Sequence, residues 1–82
     1  MEPKEFKGQN VVYGKDQPKY KPLPALRLPG DQGEVITCWE FSAEELEDIV
    51  KNKCFYLSQL TFNNPLQPIR PFVNLEDGLD LK

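Results

Sequence analysis

The sequence predicts a small α+β domain: an antiparallel sheet of about three to four strands, one helix on one face, and a Pro-rich extended N-terminal segment. Two runs rich in β-branched and aromatic residues, Glu34–Phe41 and Cys54–Phe62, have the composition of strands. Between them, Ser42 and Glu45 form the pattern of a capping box at the start of an amphipathic run. A chain of 82 residues has room for one such domain.

The helix is predicted to run from the Ser42 cap to about Lys53. Leu46, Ile49 and Val50 have the spacing i, i+3, i+4, which places them on one apolar stripe. Acidic residues gather in the first turns and lysines in the last, as the helix dipole favours. We therefore expect one face of this helix to pack on the sheet.

The N-terminal third predicts two further elements. Asn10–Tyr13 is a short apolar run with the composition of a strand. Residues 20–29 contain three prolines, which cannot donate to a sheet ladder, so this stretch predicts a polyproline-like segment or an edge strand. The Gly-rich turn Gly30–Gly33 predicts a hairpin that joins residues 23–28 to the strand after it.

The C-terminal third predicts a turn and one more strand. Asn63–Pro65 has turn composition, and residues 66–73 predict an extended edge segment limited by its prolines. The domain organisation expected is a flexible N-terminus at 1–9, a single α+β domain at 10–73 and an acidic C-terminal tail at 74–82.

Both central strands have apolar residues on both faces. In Glu34–Phe41, Trp39 lies on one face and Ile36 on the other; in Cys54–Phe62, Tyr56 and Phe55 are divided in the same way. One helix covers only one face of a sheet. The second face needs the N-terminal segment, a second copy of the chain or a foreign partner as its cover, and these three alternatives stay open.

Charge and cysteine content limit the classes of protein to which this chain can belong. The net charge is −3 and the pI about 4.9, which disfavours DNA or RNA binding. Residues 1–30 carry six basic and three acidic groups, whereas residues 31–82 carry four basic and ten acidic groups, so the two parts can attract each other within one chain or between copies. Two cysteines, interpreted as reduced and buried, and no signal peptide or membrane-spanning run predict a cytoplasmic protein that does not engage membranes.

The residue types that carry most catalysis are missing. The chain has no histidine, no CxxC pair and no Gly-rich phosphate loop. The acidic residues at the helix start are more typical of a solvated face matched to the helix dipole than of a paired active site. We therefore predict a non-enzyme without metal or cofactor.

Three groups of side chains are candidates for binding. An aromatic wall of Trp39 and Tyr20 would stack a flat ligand, Arg27 with nearby lysines would hold an anion, and polar groups surround a proline-stiffened loop at residues 61–70. Each group also has a structural interpretation, as core packing, solvated surface or hairpin turn. The candidate ligand-binding residues are Tyr20, Arg27, Trp39, Thr61, Asn63, Gln67 and Arg70.

Several segments resemble a family of small uncharacterised proteins encoded in tailed-phage and prophage genomes. The similar segments are NVVYGKDQPKY, PLPA, CWEFS and LTFNNPLQP, and the resemblance covers roughly residues 6–73. Members of that family often have a glycine before the second strand, where this chain has Asn52 and Lys53. The resemblance implies action in the bacterial host cytosol and no assigned catalytic residue.

Small phage accessory proteins commonly act by binding, which leads to three hypotheses. The first is a homo-oligomer that counteracts host defence by sequestering a nucleotide-type signalling molecule, with a base stacked on Trp39 or Tyr20 and phosphate neutralised by Arg27 or Arg70. The alternative is an inhibitor of a host defence or regulatory protein. Its acidic helix face would supply the contacts, which are Glu44, Glu47 and Asp48. A further alternative is a small virion structural or assembly factor.

Overall fold

Two small antiparallel sheets and two helices make up the computed structural model, which describes residues 1–19 and 21–79. One sheet has the order β2-β3-β4, and the other pairs β1 with β5. The mixed α+β class is thereby confirmed. In chain order the elements are β1 (Glu2–Pro3), β2 (Val11–Tyr13), β3 (Leu23–Arg27), β4 (Val35–Thr37), β5 (Trp39–Glu40), α1 (Ala43–Asn52) and α2 (Leu75–Leu79).

The predicted hairpin between β3 and β4 is present. Leu26 lies opposite Ile36, and Arg27 lies opposite Val35. In the connecting turn Gly30 has a φ of 125° and Gly33 a φ of 64°, a region that residues with a Cβ rarely adopt. Glycine therefore closes this hairpin locally.

The prediction of an edge strand for the Pro-rich segment is wrong, because β3 is the central strand. Pro24 pairs with Val12 of β2, while the register with β4 covers only Ala25 to Arg27. The proline thus lies beyond the end of the β3–β4 pairing, where its missing N–H removes no bond to β4. A proline therefore restricts the hydrogen bonding at one position of a strand. It does not decide whether that strand lies at the edge or in the centre of the sheet.

The predicted strand Glu34–Phe41 divides at Cys38 into β4 and β5, which belong to different sheets. Beside the break, the Lys4 N–H donates to the Cys38 carbonyl at 2.8 Å. β5 then pairs with β1, so Glu2–Pro3 forms a strand where the sequence predicts irregular chain. The flexibility expected for residues 1–9 stays a prediction.

Helix α1 has the predicted capping box. The Glu45 N–H donates to Ser42 Oγ at 3.1 Å, and the Ser42 N–H donates to Glu45 Oε1 at 2.8 Å. The helix ends at Lys53, whose φ of 58° is left-handed. However, none of its residues is buried, and Leu46 and Val50 are 52% and 68% exposed. The expected packing of this helix on a sheet face is therefore not found.

The predicted strands Cys54–Phe62 and 66–73 are wrong, since neither stretch is a strand in the structure. Their composition shows that their side chains suit a pleated sheet, but a strand also needs a neighbouring backbone to pair with. The two neighbouring positions of β3 are taken by β2 and β4. We call Cys54–Val73 the unpaired segment.

The core is small. Among the described residues, the buried apolar side chains are Pro24, Ala25 and Ile36, on the paired strands β3 and β4. Further on, Gly78 of α2 is buried against the Phe72 ring, which occupies the space that a Cβ would need. The three-stranded sheet is therefore held together by only a small buried apolar area.

Candidate functional site

The predicted ligand-binding residues that the structure describes belong to several separate elements of the chain. Arg27 lies at the end of β3 opposite Val35, whereas Trp39 lies in β5, beyond the break at Cys38. Thr61 and Asn63 belong to a turn in the unpaired segment. Tyr20 lies outside the described residues. Joint action of these side chains on one ligand stays a prediction.

Trp39 is 45% exposed, and its polar group is already engaged. The indole Nε1 donates to Thr37 Oγ1 at 2.8 Å. Since this N–H is the indole's single donor, the side chain offers an open aromatic surface rather than a hydrogen bond to a ligand.

Arg70 connects three parts of the chain. Its Nη2 donates to Glu34 Oε2 at 3.0 Å and to the Gly78 carbonyl at 2.9 Å, and the guanidinium lies 5.2 Å from the centre of the Phe72 ring. A cation at carbonyls of the last turn of α2 is favourable, as is its place over an aromatic ring. These contacts give Arg70 a structural role, and its role in binding phosphate stays a prediction.

The turn Thr61–Asn64 has the geometry of a tight hairpin turn. The Asn64 N–H donates to the Thr61 carbonyl at 3.0 Å, and both central residues, Phe62 and Asn63, have positive φ values of 53° and 64°. Positive φ at both positions is typical of a type I′ turn, which asparagine tolerates and phenylalanine does not favour. Phe62 is also 81% exposed, while Gln67 farther along is exposed as well. A hairpin turn is thus present without the two strands it usually joins.

An exposed apolar strip lies along one face of helix α1, where Leu46 and Val50 are open to solvent. The carboxylates of Glu44 and Asp48, both exposed, belong to the same helix. The predicted acidic face therefore occurs together with an apolar strip that the sequence analysis assigned to the sheet. The residues along the strip are Ala43, Leu46, Glu47, Val50 and Lys51.

Ion pairs join the basic N-terminal part to the acidic part within one chain. The Met1 amine contacts Glu45, and Lys4 Nζ lies 3.7 Å from Glu40 Oε2. The hydrogen bond from the Met1 amine, followed by that from the Ser42 backbone, lowers the pKa of Glu45. A hydrogen bond from Lys21, together with its charge, lowers the pKa of Glu2. Part of the attraction expected from the charge distribution is therefore satisfied internally.

The unpaired segment exposes a large apolar surface that the sequence analysis missed. Its only charged residue is Arg70. The combination of many apolar residues, three prolines and almost no charge was a signal that could have identified it. The exposed large side chains are Phe55, Tyr56, Leu57, Leu60, Phe62, Leu66, Ile69 and Val73.

Within residues 1–19 and 21–79, no cluster of three or more cysteine, aspartate or glutamate side chains has a geometry that could hold a metal ion. No helix in that part of the chain is both long and apolar enough to cross a bilayer. The chain matches no protein-family model, no curated protein and no solved structure.

Proposed function

We propose that this protein is a non-enzymatic binding module that recognises another protein through helix α1. The observation that carries the proposal is the exposed apolar strip at Leu46 and Val50 on a helix whose remaining surface is mostly acidic. Taken together with the resemblance to phage-encoded proteins, we propose that the protein inhibits a host protein in the bacterial cytosol.

The charge of α1 defines the chemistry of the partner. The helix Ala43–Asn52 carries four carboxylates and one lysine. Glu45 is engaged by Ser42 and the Met1 amine, which leaves Glu44, Glu47 and Asp48 to face solvent. A complementary surface has an apolar anchor bordered by lysine or arginine residues, and opposite charge accelerates the encounter of such surfaces.

The helix is held in shape before any partner binds. Its first turn is closed by the capping box, and at its other end the Lys53 N–H donates to the Ile49 carbonyl at 2.7 Å. An amphipathic helix that is already formed loses little conformational entropy on binding. Recognition of an apolar helix face by a groove on a partner is a common mode of protein association.

Sequestration of a nucleotide is the alternative that this geometry supports less well. A nucleotide site needs an aromatic face and a cation on the same ligand, but Trp39 and Arg27 lie on separate sheet elements, and the guanidinium of Arg70 contacts Glu34 and Gly78. The apolar strip on α1, by contrast, is continuous within one element.

The test is affinity capture from a bacterial lysate with the wild-type chain and with variants of the α1 surface. We expect one captured protein to be lost with Val50→Asp, and to be reduced with Glu47→Lys, more so at higher salt. Glu76→Lys in α2 makes the same charge change away from α1 and should leave capture intact. Circular dichroism verifies that each variant is folded.

Two results would contradict the proposal. One is capture that is indifferent to both changes in α1. The other is a thermal shift with a cyclic dinucleotide or cyclic trinucleotide that Trp39→Ala abolishes, since that outcome favours nucleotide sequestration instead.

A further inference from the structure

We propose that residues 55–61, near the start of the unpaired segment, associate with the same residues of a second copy as antiparallel strands, giving a symmetric dimer. This inference goes beyond the proposed function and uses a different surface, so that α1 stays accessible in the dimer.

Exposure along residues 55–61 shows two unequal faces. Tyr56 and Leu60 are 94% and 78% exposed, whereas Phe55 and Leu57, at alternate positions, are 48% and 61% exposed. An alternation of period two is the signature of a strand-like chain with one face towards its own molecule. The other face, with large apolar side chains, is directed at solvent.

The backbone of this stretch is also free to form a ladder. Residues 54–60 belong to no helix, turn or strand, and residues 54–61 contain no proline, so every residue retains its N–H donor. Within the described part of the chain, the backbone-to-backbone hydrogen bond of residues 54–73 is the one that closes the Thr61–Asn64 turn. Unpaired backbone groups beside residues of high β-propensity are a template for pairing with another strand.

Charge selects a second copy as the occupant. A two-fold axis places a surface against itself, so any uncompensated charge meets its like. From residue 54 to residue 74 the only charged side chain is Arg70, and it is paired with Glu34. Helix α1, with four carboxylates and one lysine, would repel its own copy. Electrostatics therefore assigns the unpaired segment to self-association and α1 to a basic partner.

The available area of the unpaired segment is sufficient for a stable dimer. With aromatic side chains contributing about 150–250 Å² each when fully exposed and aliphatic ones somewhat less, the exposed apolar residues of the whole segment Cys54–Val73 present on the order of 1,000 Å² per chain. A standard interface buries about 800 Å² per partner, so the interface includes exposed side chains of residues 66–73 beside the ladder. The left-handed turn at Phe62 and Asn63 and the prolines at 65, 68 and 71 end the ladder at residue 61.

The symmetric pairing has a defined centre. Residues 55–61 have Ser58 in the middle, so an antiparallel pair centred there places the two copies of Ser58 opposite each other. Tyr56 of one copy then faces Leu60 of the other, which is a favourable aromatic–aliphatic cross-strand pair. The two copies of Cys54 lie at opposite ends of the ladder, about 27 Å apart at 3.4 Å per residue.

Disulfide crosslinking tests this arrangement. Opposed Cα atoms in an antiparallel pair are about 4.5–5.5 Å apart, within the reach of a disulfide. We expect Ser58→Cys, in a Cys38→Ser and Cys54→Ser background, to form a covalent dimer on mild oxidation. Cys38→Ser alone retains Cys54 and should remain largely uncrosslinked. Efficient crosslinking through Cys54 would overturn the antiparallel arrangement.

Light scattering coupled to size exclusion supplies the second readout. The wild-type chain should have the mass of a dimer at micromolar concentration, and Tyr56→Lys should shift it to a monomer while Gln17→Lys, at an exposed position outside the unpaired segment, does not. A wild-type monomer, or a mass that grows without limit as concentration rises, would overturn the proposal. Because α1 is not involved, capture by α1 persists if the dimer proposal fails, and the dimer persists if capture fails.

Discussion

Two stretches of this chain have nearly the same composition, which is typical of strands, but only one of them forms strands. Residues 34–41, EVITCWEF, form β4 and β5, while residues 54–62, CFYLSQLTF, form no strand. The first follows the tight turn Gly30–Gly33, which returns it beside β3 after a few residues. The second follows helix α1 and precedes a proline-rich loop, so no neighbouring strand is supplied along the chain. The two stretches differ in whether a neighbouring strand lies close to them along the chain, and not in their composition.

The same contrast holds for burial. Ile36, in β4, is 6% exposed, whereas Leu60 in the unpaired segment is 78% exposed. A sheet of three short strands buries side chains only where neighbouring strands cover them. An apolar residue without such a neighbour remains at the surface, where it is available to a partner.

The largest expected effect comes from the same substitution made in each region. Ile36→Ala removes most of a core side chain and should lower the free energy of unfolding by about 2–4 kcal/mol, which is a large part of the stability of so small a domain. Ile69→Ala, at a position 45% exposed, should cost less than about 1 kcal/mol. Urea denaturation followed by circular dichroism measures both. Equal losses would show that the unpaired segment is part of the core.

The next effect concerns the start of α1. Ser42→Ala removes the acceptor for the Glu45 N–H and should destabilise the chain by about 1 kcal/mol, with a loss of helical signal. Ser58→Ala makes the same change in the unpaired segment, where no effect of that size is expected. The comparison is made by thermal unfolding, and a larger loss at Ser58 would reverse the order of the two regions.

The boundary between the regions lies at Lys53, which has the left-handed conformation that ends α1. Lys53→Gly relieves this strain and should stabilise the chain by about 0.5–1 kcal/mol. Lys53→Ala, which shortens the side chain but keeps a Cβ, serves as the control and should not stabilise. A destabilised glycine variant would mean that the lysine side chain itself holds the helix end.

The smallest effect is a dependence on pH. The pKa of Glu45 is lowered in the folded chain by the Met1 amine and the Ser42 backbone, so its contribution to stability is present above its ordinary value of 4.5 and is lost as the pH falls through the lower folded value. Glu2, whose pKa Lys21 lowers, acts with the same sign. Glu45→Gln should reduce the loss of helical signal between neutral and acidic pH. An acid titration identical to that of the wild type would contradict this account.

Local signals in the sequence were sufficient for several elements. The capping box of Ser42 and Glu45 depends only on residues three apart, and the β3–β4 hairpin depends on the glycines of its turn. The sequence also indicated the acidic face of α1. It did not indicate that the apolar stripe of α1 would stay exposed, because exposure depends on what packs against the helix.

The roles of Arg70 and Asn10 show what long-range contacts add. Arg70 was predicted as a ligand-binding residue, and the structure places it against Glu34, 36 positions away. Asn10 donates through its side-chain amide to the Arg27 carbonyl at 3.0 Å and accepts from the Arg27 N–H at 2.8 Å, thereby extending the β2–β3 pairing by one rung. Neither partner could be identified from spacing or composition.

The sequence by itself determined the α+β class, the bounds and caps of α1, the β3–β4 hairpin and the balance of charge, since each follows from residues close together in the chain. Only the tertiary structure decided that β3 is central, that β1 pairs with β5 and that Cys54–Val73 remains without a partner. The physical reason is that a strand is completed by a backbone supplied from elsewhere. Here the described fold supplies one to Glu34–Phe41 and none to Cys54–Phe62.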